Sequence, residues 1–175
     1  MKDPQQHDPH DSLSRAYKKM CERAINKFHS VEEKSAHLLH QLIDEARDKA
    51  IDLKEVSEEE AEKLTVYLKR DLNDAAMFLS KTGNEIEDWL GFETQLLESS
   101  FLDQLLKVAD KTTLELLKMK QNAEILYSYH TGEITGPSTL ICDPCGERLH
   151  FRTAGKIPPC PKCHATRFHR KLGRR

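Results

Sequence analysis

The sequence predicts a mainly α fold: a long antiparallel helical hairpin and a third helix, followed by a small C-terminal β unit built around a metal ion. Three observations carry that expectation. Apolar residues recur in steps of three and four from Leu13 to Leu53, and again from Ala61 to Leu79. A broad apolar arc follows between Glu93 and Leu126, after which the composition turns to aromatic, β-branched and turn residues. The C-terminal part holds two cysteine pairs, Cys142-Asp-Pro-Cys145 and Cys160-Pro-Lys-Cys163, in the pattern C-x2-C-x14-C-x2-C.

Taken in order, residues 1–11 carry prolines, histidines and acids with almost nothing apolar, which predicts a disordered tail. Ser12 or Ser14 caps the first helix. Its stripe runs Leu13, Tyr17, Met20, Ala24, Phe28, Val31, Ser35, Leu39, Leu42, Ala46, Ala50 and Leu53, repeating every eleven residues. Eleven residues over three turns make a nearly straight seam, so a single helix of roughly 60 Å is expected. Ser57-Glu-Glu-Glu60 reads as a capping box at the start of a second helix. Ala61, Leu64, Leu68, Leu72, Ala75 and Leu79 form its face, and the short connection implies an antiparallel hairpin. Thr82-Gly83-Asn84 stops that helix. Trp89, Leu90 and Phe92 form an apolar corner that packs the third helix, Glu93 to about Leu126, onto the hairpin.

The segment 127–137 leads into a small sheet, with further strands at 139–142, 147–152 and 166–171. The domain plan is therefore a tail at 1–11, a helical part at 12–126, a metal-bound β unit at 127–171 and a basic tail at 172–175. No metal cysteine lies within the helical stripes, so the helical part is expected to fold without the β unit.

Two residues between paired cysteines let both thiolates of a tight turn reach one ion, and a second such turn closes a tetrahedron. Zn²⁺ is the ion that four thiolates suit, and a shell of four cysteines leaves no open position for chemistry. The expected cofactor is one structural Zn²⁺ on Cys142, Cys145, Cys160 and Cys163, a zinc ribbon. A disulfide pair or a redox CxxC is the alternative, which two units at this spacing disfavour. Gly146 follows the first knuckle where positive φ is commonly needed, and His164 holds the matching place in the second.

A chain of 175 residues suits one domain or one domain with a small satellite. Its 32% charged and 6% aromatic residues favour helices with solvated faces over a large core. No signal peptide is evident, and the longest apolar run, Ala75 to Leu79, is too short for a bilayer, so no membrane partner is expected. Metal thiolates and the spare thiol of Cys21 fit a reducing cytoplasm. The formal charge of −2 divides unevenly. From Pro137 onward nine Lys/Arg face two Asp/Glu, giving +7, and the remainder carries −9.

With these residues assembled, the chain resembles the YbeL-like family of bacterial zinc-ribbon proteins. The resemblance runs from about Tyr17 to Arg170. It rests on Arg70-Asp71-Leu72, Asp110-Lys111-Thr112, Tyr129-His130-Thr131-Gly132-Glu133 leading to Gly136, and the two knuckles. It implies a helical N-terminal region, a C-terminal zinc ribbon with its metal on the four cysteines, and no established enzymatic activity. Family members tend to have Gly after the second knuckle, whereas this chain has His164, which bears on local turn geometry.

Two functional readings follow. A nucleic-acid-binding or transcription-associated ribbon draws on its cations, with Arg148, Arg152, Lys162, Arg167, Arg170 and Lys171 as contacts; Phe151 and Phe168 either stack on bases or, the reading favoured here, form the ribbon's minimal core. The alternative is a protein-interaction adaptor, in which the acidic hairpin binds a protein partner or self-associates. Nothing in the sequence resembles a catalytic triad, a phosphate loop or an open metal site, so no enzyme is expected.

Overall fold

Tyr17, Met20, Ala24 and Phe28 share one side of helix α1 (Ser12–His29), and all four are buried. The chain then breaks and restarts as α2 (Ala36–Asp52). The single long helix expected from the eleven-residue seam is therefore two helices. The serines decide this. Ser30 closes the last turn of α1, its N–H bonding to Asn26 O and Lys27 O and its hydroxyl donating to Lys27 O at 2.7 Å. Ser35 has an extended backbone and accepts from the N–H of Leu38 at 3.1 Å, so it is the N-cap of α2. The seam itself survives on α2, where Leu39, Leu42, Ala46 and Ala50 are buried, whereas Leu53 at its end is exposed.

The computed structural model of the chain describes residues 12–33, 35–79, 90–92 and 128–170. The expected N-terminal tail, the helix stop at 82–84, Trp89, the third helix at 93–126 and the basic tail lie outside the described residues.

Ion pairs fix the helix directions. Lys27 pairs with Glu45, while Lys19 and Arg23 both reach Glu55, so α1 and α2 run antiparallel. Lys69 on α3 (Glu58–Leu79) pairs with Asp44 at 2.7 Å and turns the chain back once more. The capping box is present as read: Ser57 N–H donates to Glu60 Oε2 at 2.9 Å, and Glu60 N–H to Ser57 Oγ at 3.2 Å. Leu64, Leu68 and Leu72 complete a core with α1 and α2, and Ala61 is buried as well.

The C-terminal part contains β1 (Tyr129–His130), β2 (Ile134–Thr135), β3 (Ser138–Cys142), β4 (Arg148–Phe151), β5 (Gly155–Lys156) and β6 (Arg167–Arg170). Four of them form an antiparallel sheet in the order β1-β6-β3-β4, and β2 pairs with β5. Period-two alternation on β6 turns Phe168 and Arg170 inward and Arg167 and His169 outward. Tyr129, Leu140, Leu149, Phe151, Ile157 and Phe168 pack with Cys142 and Cys160 into a small core.

The helical part does not stand apart from this sheet as the sequence suggested. Ile134 and Ala154 belong to the same buried cluster as Leu64, Leu68 and Leu72. Buried polar groups join the two parts. Asp71 Oδ2 accepts from Tyr17 Oη at 2.6 Å and from Gly136 N–H at 2.8 Å. Arg70 lies 3.8 Å from the Tyr129 ring centroid and donates to Asp71, Glu133 and Ile134 O. Tyr129 Oη donates to Asp74. Arg170, 3% exposed, reaches Asp71 at 3.7 Å, Asp74 at 4.0 Å and Thr135 Oγ1 at 3.5 Å.

Leu90 and Phe92 close a further joint: both pack on the helical core, and Leu90 O accepts from Thr139 Oγ1 of β3 at 2.6 Å. The corner thus ties helices to sheet. Gly91 has φ +77°, and a Cβ there would lie 2.5 Å from Thr139 Oγ1 and 2.9 Å from its Cβ. Gly91→Ala is therefore expected to push this corner off β3 and cost about 1–3 kcal/mol. Denaturant titration checks this, and Thr139→Ser, which removes only the methyl group, is expected to cost less.

Candidate metal centre

The first knuckle leaves the end of β3 and the second lies between β5 and β6, so the sheet brings the two together. Their backbones match. Gly146 N–H bonds to Cys142 O, and His164 N–H to Cys160 O, each at 2.9 Å. Cys142 N–H bonds to Glu147 O, and Cys160 N–H to Ala165 O. Gly146 has φ +73° and His164 φ +60°, so both positions after the knuckles take the left-handed turn expected of them. His164 adopts it without glycine.

The four sulfur atoms lie within 4.8 Å of one another. Cys142 Sγ and Cys163 Sγ are 3.5 Å apart, and Cys145 Sγ and Cys160 Sγ 3.6 Å. A tetrahedron with Zn–S bonds of ~2.3 Å has edges near ~3.8 Å, so this arrangement fits one zinc ion and no disulfide. Backbone N–H groups face the sulfurs: that of Cys145 points to Cys142, that of Glu147 to Cys145, and those of Lys162 and Cys163 to Cys160. Such donors offset the net −2 of a zinc ion with four thiolates. Burial, reinforced by the other sulfurs, pushes the Cys142 thiol up to about 12. Burial also opposes ionisation of Cys160, yet its backbone donors and neighbours bring it down to about 7. Outside the shell, Asp143 is bonded to His169 and paired with Arg167 at 3.5 Å, and Glu147 is paired with Lys162 at 3.9 Å.

A family model described as a zinc-ribbon containing domain matches residues 8–172. The chain belongs to this zinc-ribbon family. Within it, the chain is 30% identical over 130 residues to the uncharacterised protein YbeL of Escherichia coli K12, covering 74% of this chain and 80% of YbeL. The YbeL proteins of E. coli O6:H1 and O157:H7 match to the same extent. No solved structure matches. Family and geometry agree on a single structural zinc site in a mainly helical protein with a small β ribbon. No helix among the described residues is long and apolar enough to cross a membrane.

The cations read from the sequence divide into three groups. Arg148, Arg152, Lys156, Lys162 and Arg167 are exposed. Lys171 lies outside the described residues. Arg170 is corrected from surface contact to buried partner of Asp71 and Asp74, because its place in β6 faces the helices. Phe151 and Phe168 are fully buried in the ribbon core and offer no stacking surface. The zinc-ribbon reading of the sequence missed the Tyr17, Arg70, Asp71 and Asp74 cluster, although Asp71 follows Leu64 by seven residues and Leu68 by three, within the apolar stripe.

Proposed function

We propose that this is a non-catalytic, cytoplasmic protein whose zinc ribbon presents a basic edge to the phosphate backbone of nucleic acid. One observation carries the reading. Arg148 and Arg152 are exposed on and just beyond β4, an edge strand, and neither has an acidic partner among the described residues. Arg167 and Lys162, by contrast, pair with Asp143 and Glu147. With the phenylalanines buried, stacking on bases has no support, and recognition rests on phosphate charge. A closed shell of four thiolates keeps the metal structural. The acidic helical hairpin as a protein adaptor is the reading that gains if nucleic acid does not bind.

Fluorescence anisotropy with duplex and single-stranded probes over a salt series is the test. The double variant Arg148→Glu/Arg152→Glu is expected to weaken binding more than tenfold at low salt and to flatten the log–log salt slope by about two, with zinc content unchanged. Absence of binding by the zinc-loaded protein at low salt removes this reading.

A further inference from the structure

Between Arg148 on the edge strand and Arg152 just beyond it lies His150, and its surroundings fix the state of its ring. Thr139 Oγ1 has one hydrogen and gives it to Leu90 O, which can only accept. The 2.8 Å contact between Thr139 Oγ1 and His150 Nδ1 must then have the ring as donor. The neutral ring is therefore the Nδ1–H tautomer, with its lone pair on Nε2. That atom has no hydrogen bond among the described residues and is not one of the buried unpaired atoms, so it faces water.

Arg148 and His150 are two residues apart on β4 and so share one face, and Arg152 follows in the bend just beyond the strand. The charges acting on the His150 ring come from this row itself, Arg148 and Arg152. From the other packed elements, β3 presents Thr139 and the 90–92 corner presents Phe92 edge-on, with ring centroids 6.2 Å apart. Among the described residues no carboxylate stabilises a charged ring, and burial with the two arginines holds His150 below the usual histidine range. At neutral pH the row is two cations flanking a lone pair.

We propose that Arg148, His150 and Arg152 form a proton-gated phosphate row, in which protonation of His150 at Nε2 turns an acceptor between two arginines into a third donor to a nucleic-acid backbone. This rests on the nucleic-acid reading above and adds its regulation. The neutral ring opposes a phosphate oxygen lone pair to lone pair. A bound polyanion raises the proton affinity of the ring, so binding takes up one proton. By linkage, affinity rises as pH falls from the raised value of the bound ring to the lowered value of the free one.

Two measurements test it on the full-length, zinc-loaded protein. Nitrogen NMR of the free wild type at pH 8 is expected to find the Nδ1–H tautomer at His150, and the Nε2–H tautomer overturns the proposal. Anisotropy with a duplex DNA probe at fixed salt then compares wild type with His150→Gln at pH 8 and pH 5.5, zinc content being checked for both. Wild type is expected to tighten by about tenfold more than the variant on acidification. Every other residue is the same in both proteins, so the difference isolates His150. An equal pH response in both proteins overturns the gate while leaving the nucleic-acid reading in place. Lack of binding at either pH overturns both.

Discussion

Removing the metal, by chelation or by Cys160→Ser, is expected to unfold the ribbon and also to lower the melting temperature of the helices. The ribbon from Pro137 onward is near the ~40-residue size below which apolar burial alone rarely sustains a fold. Structural zinc in small peptides contributes roughly 10–16 kcal/mol of apparent binding free energy at neutral pH, enough to decide folding. The effect spreads because the ribbon covers part of the bundle. Its loss withdraws Ile134 and Ala154 from the helical core and takes Gly136, Tyr129 and Arg170 from Asp71 and Asp74. What persists is the packing of Tyr17, Met20, Phe28, Leu39, Ile43, Leu64 and Leu68, so strong helical circular dichroism is expected to remain with a melt lowered by roughly 10–20 °C. Coupling is reciprocal, so a loosened bundle weakens zinc binding by the same free energy. Cys142→Ser and Cys163→Ser are expected to lose zinc, whereas Cys21→Ser, buried in α1, keeps it. Equal zinc in all three variants, or a chelated protein with an unchanged melt, contradicts this.

The metal centre was legible in the sequence because ligand chemistry is local: the knuckle spacing and the turn residues Gly146 and His164 sit within a few positions of the sulfurs they serve. The helices were legible in type but not in extent. Ser35 fits the spacing of the seam, and periodicity cannot tell a small seam residue from a cap; the cap depends on an extended backbone that no pattern displays. The joint between helices and ribbon was the least legible, since it is made by residues more than fifty positions apart, such as Asp71 with Gly136 and Tyr129 with Asp74. Its one local sign was an acid at a core position of α3. Arg170 was misplaced for a related reason. Alternation along β6 puts it on the same face as Phe168, whereas charge alone suggested solvent where the structure has two carboxylates.

Arg170→Ala is expected to be among the most destabilising single substitutions in the protein, and to act on stability rather than on nucleic-acid affinity. Arg170 is 3% exposed between Asp71 and Asp74, themselves 5% and 3% exposed. Breaking a buried ion pair by removing one partner typically costs about 3–5 kcal/mol, because the remaining charge has neither water nor counter-ion. At this chain length that is a fall of roughly 10–15 °C in melting temperature. Arg170→Lys keeps the charge without the planar fork and is expected to fall between. The pH dependence identifies the cause. Burial raises Asp74 to about 6, against the pull of Arg170 and Tyr129, and its Oδ1 has no hydrogen bond among the described residues. A carboxyl group whose folded value is raised binds more protons in the native state, so its contribution to stability declines as pH rises from about 4 through that value. Without Arg170 the folded value rises further and the penalty extends above pH 6. The deficit of Arg170→Ala relative to wild type is therefore largest above pH 7 and shrinks toward pH 5.5. Adding Asp74→Asn is expected to recover part of it at pH 7.5, because the uncompensated charge is gone while an acceptor for Tyr129 remains. Melting curves at the two pH values for wild type, single and double variants decide this. An Arg170→Ala protein that melts like wild type but loses salt-dependent nucleic-acid binding would return Arg170 to the surface role first read from the sequence.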